Sequence, residues 1–405
     1  MSPPDPMHRV PRALVAFLLI SSFTFLAGDT ATALPGTAPD QTLGTNGKVR
    51  EIVQVGNVIW VGGRFTALID RQGKVVQSGL NNLAALDASN GGVAAGVSVP
   101  DLTGSNAIVW DLSTDGTDVY AAGKFVVSNG SKNLVEFRGS NGVLGNKFSA
   151  PNLKTVLVDG AQVLGGGAKM QAWTRSGSKI NSFVVTTPKT NPALRSHNTP
   201  RMYTDIEPFP GGGWVAACKC DWVMNPGESA TSATEEKAIV RLNANGSVDH
   251  SWNRTIKATS AAFGWSVYVD SNGIVLAAGG SDYIQKLSFQ GSQMWKLDTN
   301  GSAQAVTKFG DRYVVGGHFR CVGNNVFHPR LVAVTFAGVR DPSWIVPVTP
   351  KYNGVWAFHV QGNRLWVGGE FKKVGGSWSP ATQSCSGTKP TATGQTNRYY
   401  LARFS

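Results

Sequence analysis

The sequence predicts an all-β fold, a seven-bladed β-propeller with four antiparallel strands in each blade. Three observations lead to this prediction: a hairpin phrase that recurs along the chain, a regular spacing between its copies, and a second strand–turn–strand pattern in the other half of each repeat. The hairpin is clearest at 354–371, where two alternating runs flank a tight turn containing Gly362 and Asn363. Because a hairpin alone is only marginally stable in water, its copies must supply the strands against which it packs.

The hairpin phrase occurs seven times, three of them in degraded form. Gly63 and Gly369 hold the same place in the first and last copies, six repeats apart, so each repeat averages about 51 residues. This period is typical of propeller blades and similar repeats. The copies lie at 49–65, 107–125, 155–167, 205–218, 266–279, 306–319 and 354–371.

The other half of each repeat predicts the third and fourth strands. It consists of a short apolar run, a turn of the Asn-Gly kind and a second run with a Trp a few residues after the Gly, as at 240–252 and 331–344. The 48 glycines and 20 prolines agree with many turns, and no segment has the period of an amphipathic helix over several turns.

These repeats resemble a known family. The stretch 240–253 resembles the bacterial delta-sixty type repeat, and the Val-Gly-Gly-x-Phe phrases resemble the secreted β-propellers built from it. The resemblance covers nearly all of the chain after its leader. It implies the propeller fold, but no particular chemistry, because a fold does not determine function.

The N-terminus has the pattern of a secretory signal peptide. Arg9 and Arg12 precede an apolar run at 13–26, and the small residues 31–33 follow it, so cleavage is expected after Ala33. The run is too short for a comfortable membrane span, and no later segment is long enough. We therefore expect residues 1–33 to be removed and residues 34–405 to form a single extracellular propeller domain that is a monomer.

The two ends of the chain are predicted to close this ring. The last repeat ends with a third strand at 399–405 and lacks a fourth, whereas 34–43 stands where the other repeats carry their fourth strand. The N-terminal segment is therefore expected to form the outer strand of the last blade, which would pair an otherwise open sheet edge.

Four cysteines fit an extracellular compartment, where disulfides persist. Cys321 and Cys385 each follow the second strand of neighbouring repeats, and Cys218 and Cys220 are two residues apart on one strand, so these two pairs are the predicted bridges. A metal site at Cys218, Cys220 and Asp221 is the alternative, but no further Cys or His pair at ligand spacing supports it. We expect no metal and no cofactor.

The chain is basic, with 37 Lys and Arg against 25 Asp and Glu and a net charge of +12. Such a charge favours anionic partners such as acidic polysaccharides, although it can also serve solubility alone. No cluster of basic and aromatic residues indicates a dedicated nucleic-acid site. Nucleophile-elbow, phosphate-loop, calcium-loop and zinc-protease motifs are absent, so no residue is assigned a catalytic role.

The candidate binding residues fall into two groups. Five occupy the place between the Gly-Gly position and the Phe position of different repeats, where they would surround one mouth of the ring: Arg64, Lys124, Lys219, His318 and Glu370. Two tryptophans, Trp222 and Trp378, lie in long connections and could touch a ligand. The alternative is that the first group consists of solvated strand ends or of residues that pair across blades. Trp110 and Trp356 are assigned to packing within the fold.

Two functions are compatible with this pattern. The first is non-catalytic binding of a protein or glycan partner through the loop-bearing face. The alternative is an extracellular polysaccharide hydrolase or lyase that uses Glu370 with Arg64 or His318 at the mouth of the central channel.

Overall fold

The computed structural model describes residues 33–189, 201–229, 238–252, 263–324, 326–379, 385 and 392–405. Throughout these residues the chain forms β-strands, turns and loops, and no helix. It follows that no helix in this part of the chain could cross a membrane. The predicted signal peptide lies outside the described residues, apart from Ala33.

The first half of the chain forms seventeen strands within the described residues. In chain order they are β1 (Gly44–Thr45), β2 (Lys48–Val55), β3 (Val58–Arg64), β4 (Ala67–Ile69), β5 (Val75–Ser78), β6 (Leu83–Asp87), β7 (Thr103–Thr114), β8 (Asp118–Val126), β9 (Lys132–Arg138), β10 (Leu153–Asp159), β11 (Gln162–Gly167), β12 (Met170–Thr174), β13 (Thr187–Lys189), β14 (Met202–Pro208), β15 (Trp214–Lys219), β16 (Trp222–Met224) and β17 (Ile239–Leu242).

The second half continues in the same manner over its described residues. Its strands are β18 (Phe263–Asp270), β19 (Gly273–Gly279), β20 (Tyr283–Leu287), β21 (Gln293–Asp298), β22 (Ala303–Phe309), β23 (Arg312–Gly317), β24 (Cys321–Val322), β25 (Val326–Phe327), β26 (Leu331–Thr335), β27 (Val348–Gln361), β28 (Arg364–Val374), β29 (Ser377–Trp378), β30 (Ala392–Thr393), β31 (Thr396–Asn397) and β32 (Leu401–Phe404).

The long strands pair in chain order into antiparallel sheets, seven of them in the described part of the chain. Each contains a first, a second and a third strand, and the fifth sheet has a complete fourth strand, β21. In several other sheets a single bridge occupies the fourth place, as between Leu86 and Val93. The sheets are β2-β3-β6, β7-β8-β9, β10-β11-β12, β14-β15-β17, β18-β19-β20-β21, β22-β23-β26 and β27-β28-β32.

Consecutive sheets lie side by side through their first strands. Strand β2 lies against β7, and the series continues through β10, β14, β18, β22 and β27, which lies against β2 again. The core fills the space between neighbouring sheets. Between the last and first sheets, for example, Ile52 and Val61 share a buried apolar cluster with Trp366 and Leu401. Second strands such as β3 are buried on both faces because each sheet lies between two neighbouring sheets.

The recurring Gly-Gly pair is explained by two close approaches. At the first glycine a Cβ would collide with a valine of the next sheet, and at the second it would collide with a backbone carbonyl of the first strand in the same sheet. The phrase is therefore a packing requirement and marks no nucleotide site. The first-glycine contacts are Gly62 with Val109, Gly316 with Val355 and Gly368 with Val49; the second-glycine contacts are Gly63 with Lys48, Gly317 with Ser302 and Gly369 with Gly354.

The N-terminal segment lies against the last strand. Gly36 N–H donates to the Ser405 carbonyl at 2.8 Å, and Asp40 N–H donates to the Arg403 carbonyl at 2.7 Å. The Asp40 carboxylate also accepts from Arg403 Nε at 2.6 Å. Together with the indole N–H of Trp344, which donates to the Pro35 carbonyl at 2.8 Å, these bonds attach residues 35–40 to the outer edge of the sheet that contains β32.

Both predicted disulfides are present. Cys321 is bridged to Cys385 and Cys218 to Cys220. The first bridge joins positions 64 residues apart, and the second encloses a single residue, Lys219. Stable disulfides are compatible with an oxidising compartment.

Candidate functional site

A β-bulge occurs at the same place in the first strand of all seven sheets. In each hairpin the register skips one residue of the first strand, so that this residue has no partner opposite it. A bulge re-aims the side chain of its extra residue. The seven bulge residues are Arg50, Trp110, Lys154, Thr204, Trp265, Gln304 and Trp356, and all seven line one cavity of about 320 Å³.

The cations of this cavity lie over its tryptophan rings. Lys154 Nζ is 3.6 Å from the ring centre of Trp110, and the guanidinium carbon of Arg50 is 4.1 Å from that of Trp356. Attraction between a cation and an aromatic face holds long, flexible side chains in place. The cavity therefore presents positive charge from fixed positions.

Lys219 supplies a third cation, and it comes from the end of a second strand. Its Nζ lies 3.9 Å from the ring centre of Trp265, and Trp265 meets Trp356 edge to face at 5.2 Å between ring centres. Because Lys219 stands between the two bridged cysteines Cys218 and Cys220, its backbone is held on both sides. Lys219, one of the binding residues predicted from the sequence, therefore lies in the same cavity as the bulge residues.

A buried carboxylate organises the basic side of the cavity. Glu370 has no exposed surface, and its two carboxylate oxygens lie 3.0 Å from Arg50 Nη2 and 3.0 Å from Lys48 Nζ. Burial lowers the pKa of Arg50 to about 10, and the charge of Glu370 opposes this shift. Glu370 therefore holds Arg50 against the Trp356 ring.

The two cavity lysines are easier to deprotonate than ordinary lysines. Burial lowers the pKa of Lys154 to about 8, and the nearby charges of Arg50 and Lys219 act in the same direction. Burial alone lowers the pKa of Lys219 to about 8. Both shifts arise because an ammonium group in this recess loses contact with water.

Acidic residues line the same cavity directly after three of the bulge positions: Glu51, Asp111 and Asp205. Asp111 accepts from Val156 N–H at 2.7 Å, and this amide belongs to the next sheet. Asp205 accepts in the same manner from Val267 N–H at 2.9 Å. These carboxylates therefore tie neighbouring sheets together.

The acids also retain protons more readily than usual. Burial, followed by the charge of Asp205, raises the pKa of Asp111 to about 7, and burial raises the pKa of Asp205 to about 6. Burial and the charge of Asp111 raise the pKa of Glu51. Within the described residues no group of three or more His, Cys, Asp or Glu side chains is arranged to hold a metal ion.

Arg64 and Lys124 lie beside the cavity, in a second recess of about 220 Å³ that we call the basic trough. Both side chains are exposed, and Arg64 Nη2 donates to Asn106 Oδ1 at 3.0 Å. The trough is lined by Lys48, Arg50, Arg64, Asn106, Ile108, Trp110, Lys124, Asn152 and Lys154.

The other predicted binding residues are placed elsewhere. Trp378 is 6% exposed and packs edge to face against Phe327 at 5.7 Å. Trp222 is half-buried on β16 and pairs in register with Lys189. His318 is half-buried, and burial together with Arg330 lowers its pKa. None of these three is among the described residues that line the central cavity or the basic trough.

Sequence reasoning missed all seven bulge residues. Trp110 and Trp356, assigned to packing from the sequence, line the cavity, whereas Trp60 and Trp366 are fully buried. A signal was available: when the repeats are aligned, one column of the first strand holds Arg, Trp, Lys, Thr, Trp, Gln and Trp, each preceded by an apolar, aromatic or small residue. Large polar and aromatic side chains at the same aligned position of several buried strands indicate that these side chains line one common cavity.

No protein-family model matches this chain, and no curated protein matches it. Among solved structures it is similar to the WD40 β-propeller domain of Doa1, with 11% identity, 83% of this chain and 95% of that chain covered, and a TM-score of 0.50. It is also similar to the extracellular domain of a one component system from B. thetaiotaomicron, with 13% identity, 85% and 41% covered, and a TM-score of 0.47. At this identity the first likeness shows the fold alone, and the chain has an all-β, propeller-like fold.

Proposed function

We propose that this chain is a secreted, non-catalytic seven-bladed β-propeller that binds a glycan in its central cavity. The observation that carries the proposal is the convergence of all seven bulge residues on that cavity, three of them tryptophans and two of them cations. Ligand sites are concave, rich in aromatic side chains and equipped with a few polar groups that fix orientation. The cavity has each of these properties.

The proposed ring is supported by the neighbours of each first strand. Each of these strands lies against the next, and β27 lies against β2, as it would in a closed circle of blades. The backbone bonds from Gly36 and Asp40 to the last strand support the N-terminal segment as the fourth strand of the last blade. We therefore propose that residues 34–405 form one propeller domain and that residues 1–33 are its signal peptide.

A glycan is favoured over a protein partner by the shape and chemistry of the site. A recess of about 320 Å³ admits a few sugar rings but no folded surface. Four polar atoms of its lining residues are buried without a hydrogen-bond partner in the described structure: the indole nitrogens of Trp265 and Trp356, Nε of Arg50 and Oε1 of Gln304. Buried polar groups left unpaired cost free energy, and hydroxyl groups both donate and accept.

Binding by the chain spanning 34–405 to a glycan array, followed by calorimetry on the best ligand, tests the proposal. Trp265→Ala should weaken binding about five- to thirtyfold, because a central aromatic contact contributes about 1–2 kcal/mol. Trp222→Ala is the matched control, since Trp222 lies away from the cavity, and its affinity should equal that of the unmodified chain. Absence of any glycan ligand, or equal loss in both variants, would refute the assignment of the site.

A polysaccharide hydrolase or lyase is the second candidate. It is favoured by one observation: two carboxyl groups with raised pKa, Asp111 and Asp205, line the cavity, and a general acid needs such a pKa. Glu370, in contrast, is held in ion pairs below the surface. Release of new sugar ends from the array ligand, lost in Asp111→Asn but retained in Asp298→Asn, would establish the enzyme and overturn non-catalytic binding.

A further inference from the structure

The central cavity is the first of three neighbouring recesses. It shares Arg50, Trp110 and Lys154 with the basic trough. The trough in turn shares Arg64 and Asn106 with an outer recess of about 420 Å³ beside the first and second sheets. The three recesses therefore follow one another with shared walls, and we call this series the track.

The middle of the track is strongly positive. Five cationic side chains line the trough, and no carboxylate is among its described lining residues. The negative charge of Glu370, which contacts both Lys48 and Arg50 but does not line the trough, neutralises one of the five positive charges. Cations clustered in a recess attract anionic ligands and hold them at the site.

The cations at the inner end of the trough are arranged for contact with an anion. Trp110 lies between two of them, with Lys154 Nζ at 3.6 Å and the guanidinium carbon of Arg50 at 5.0 Å from its ring centre. Held in this way, the two side chains lose little conformational freedom when a carboxylate binds, which lowers the entropic cost. The ring supports the cations, and the ammonium group of Lys154 remains for the ligand, whereas Arg50 already donates to Glu370 through Nη2.

The side chains at the two ends of the track differ in chemistry from the basic side chains in its middle. Amide side chains dominate the outer recess, with Asn46, Asn81, Asn82 and Asn106 in its lining, and amides both donate to and accept from hydroxyl groups. The floor of the inner cavity carries Glu51, Asp111 and Asp205.

We propose that the natural ligand is a linear, carboxylate-bearing polysaccharide that lies along the track. Its end enters the central cavity, its carboxylates contact the basic trough, and its following units contact the amides of the outer recess. The inference rests on the proposed glycan-binding function and adds the substrate class and the direction of the chain. Arg64 and Lys124, both exposed, are the residues that determine specificity for charge.

Calorimetry on the chain spanning 34–405 tests this proposal with oligogalacturonate of six units, galacturonic acid, and a neutral glucan of six units. We expect the charged oligomer to bind more tightly than both other ligands and to weaken as salt is added. The double variant Arg64→Glu, Lys124→Glu should weaken its binding at least about 30-fold, because two attractions become repulsions. Lys132→Glu, an exposed position in the same sheet as Lys124 and outside the track, should change it by less than about twofold.

Three results would overturn the proposal: equal affinity for the charged and neutral oligomers, no gain from one unit to six, or tighter binding of single-stranded DNA than of oligogalacturonate. Failure of the track can be separated from failure of the cavity. If Trp265→Ala weakens a short glycan while the double charge variant has no effect, the glycan site in the cavity remains and the track is refuted. If no glycan binds at all, both proposals fail together.

Discussion

Glu370 and Arg50 are 320 residues apart in the sequence, and their side chains meet at 3.0 Å between the last and first sheets. Glu370 is fully buried, and Arg50 also lies against Trp356. One carboxylate thus contributes both to the contact between the ends of the repeat series and to the shape of the central cavity.

Replacing Glu370 should therefore destabilise the protein strongly. Glu370→Gln leaves Arg50 without a counter-charge in a buried position, and the loss of one partner of a buried ion pair costs about 3–5 kcal/mol. Urea unfolding followed by tryptophan fluorescence measures the change. Asp298→Asn removes an exposed pair with Lys296 and should cost less than about 1 kcal/mol. Equal effects of the two substitutions would show that Glu370 is not an organising residue.

Asp111 should make stability depend on pH. Its pKa in the folded protein, about 7, lies above its ordinary value of 3.8, so the folded state binds the proton more tightly than the unfolded state. The stabilisation that the protonated Asp111 side chain contributes is therefore full below about pH 4 and is lost as the pH rises through 7.

The measurement compares Asp111→Asn with the unmodified chain at pH 5 and pH 8, because other groups titrate in this range. The free energy of unfolding of Asp111→Asn minus that of the unmodified chain should be about 2 kcal/mol more positive at pH 8 than at pH 5. A constant difference for Asp111→Asn would contradict the raised pKa.

The two disulfides should contribute unequally to stability. The bridge from Cys321 to Cys385 spans 64 residues, and closing a loop of that length in the unfolded chain contributes about 4 kcal/mol. The bridge from Cys218 to Cys220 closes a very short loop, and its loss should cost less than about half as much. Replacing each pair by alanine and measuring urea unfolding tests this order. A larger loss for the short loop would contradict the entropic account.

The N-terminal segment should stabilise the last sheet. Removing residues 34–43 exposes the edge of β32 and deletes Asp40, one partner of Arg403, and Pro35, the acceptor of the Trp344 indole, so the melting temperature should fall by about 10 °C. Asp40→Ala keeps the backbone bonds and should show only part of this loss. An unchanged melting temperature in the truncated chain would refute the proposed closure of the ring.

The repeat pattern predicted much of the architecture correctly. Alternating runs around turns with glycine and asparagine correspond to antiparallel hairpins, as at β27 and β28, because alternation and turn chemistry are local properties of the chain. Both cysteine pairs were also predicted, since Cys321 and Cys385 stand at equivalent places in adjacent repeats and Cys218 and Cys220 are close neighbours on the chain.

The site was predicted only in part. Lys219 lies in the central cavity and Arg64 and Lys124 line the trough, but Trp222, His318 and Trp378 lie elsewhere among the described residues. The sequence pattern shows which residues end a strand, and it does not show how far a connecting loop folds back. Trp378 is an example: it lies in a long connection that folds back, so that its ring packs against Phe327.

By itself the sequence determined the repeating unit, its antiparallel strands and the positions of the bridging cysteines, because each depends on residues close together in the chain or at a fixed period. Only the tertiary structure decided that Arg50, Trp110, Lys154, Trp265 and Trp356 share one cavity. The bulge that turns each of these side chains inward is a property of strand register, and their meeting requires neighbouring sheets to lie side by side. Residues about fifty positions apart become neighbours only through that packing.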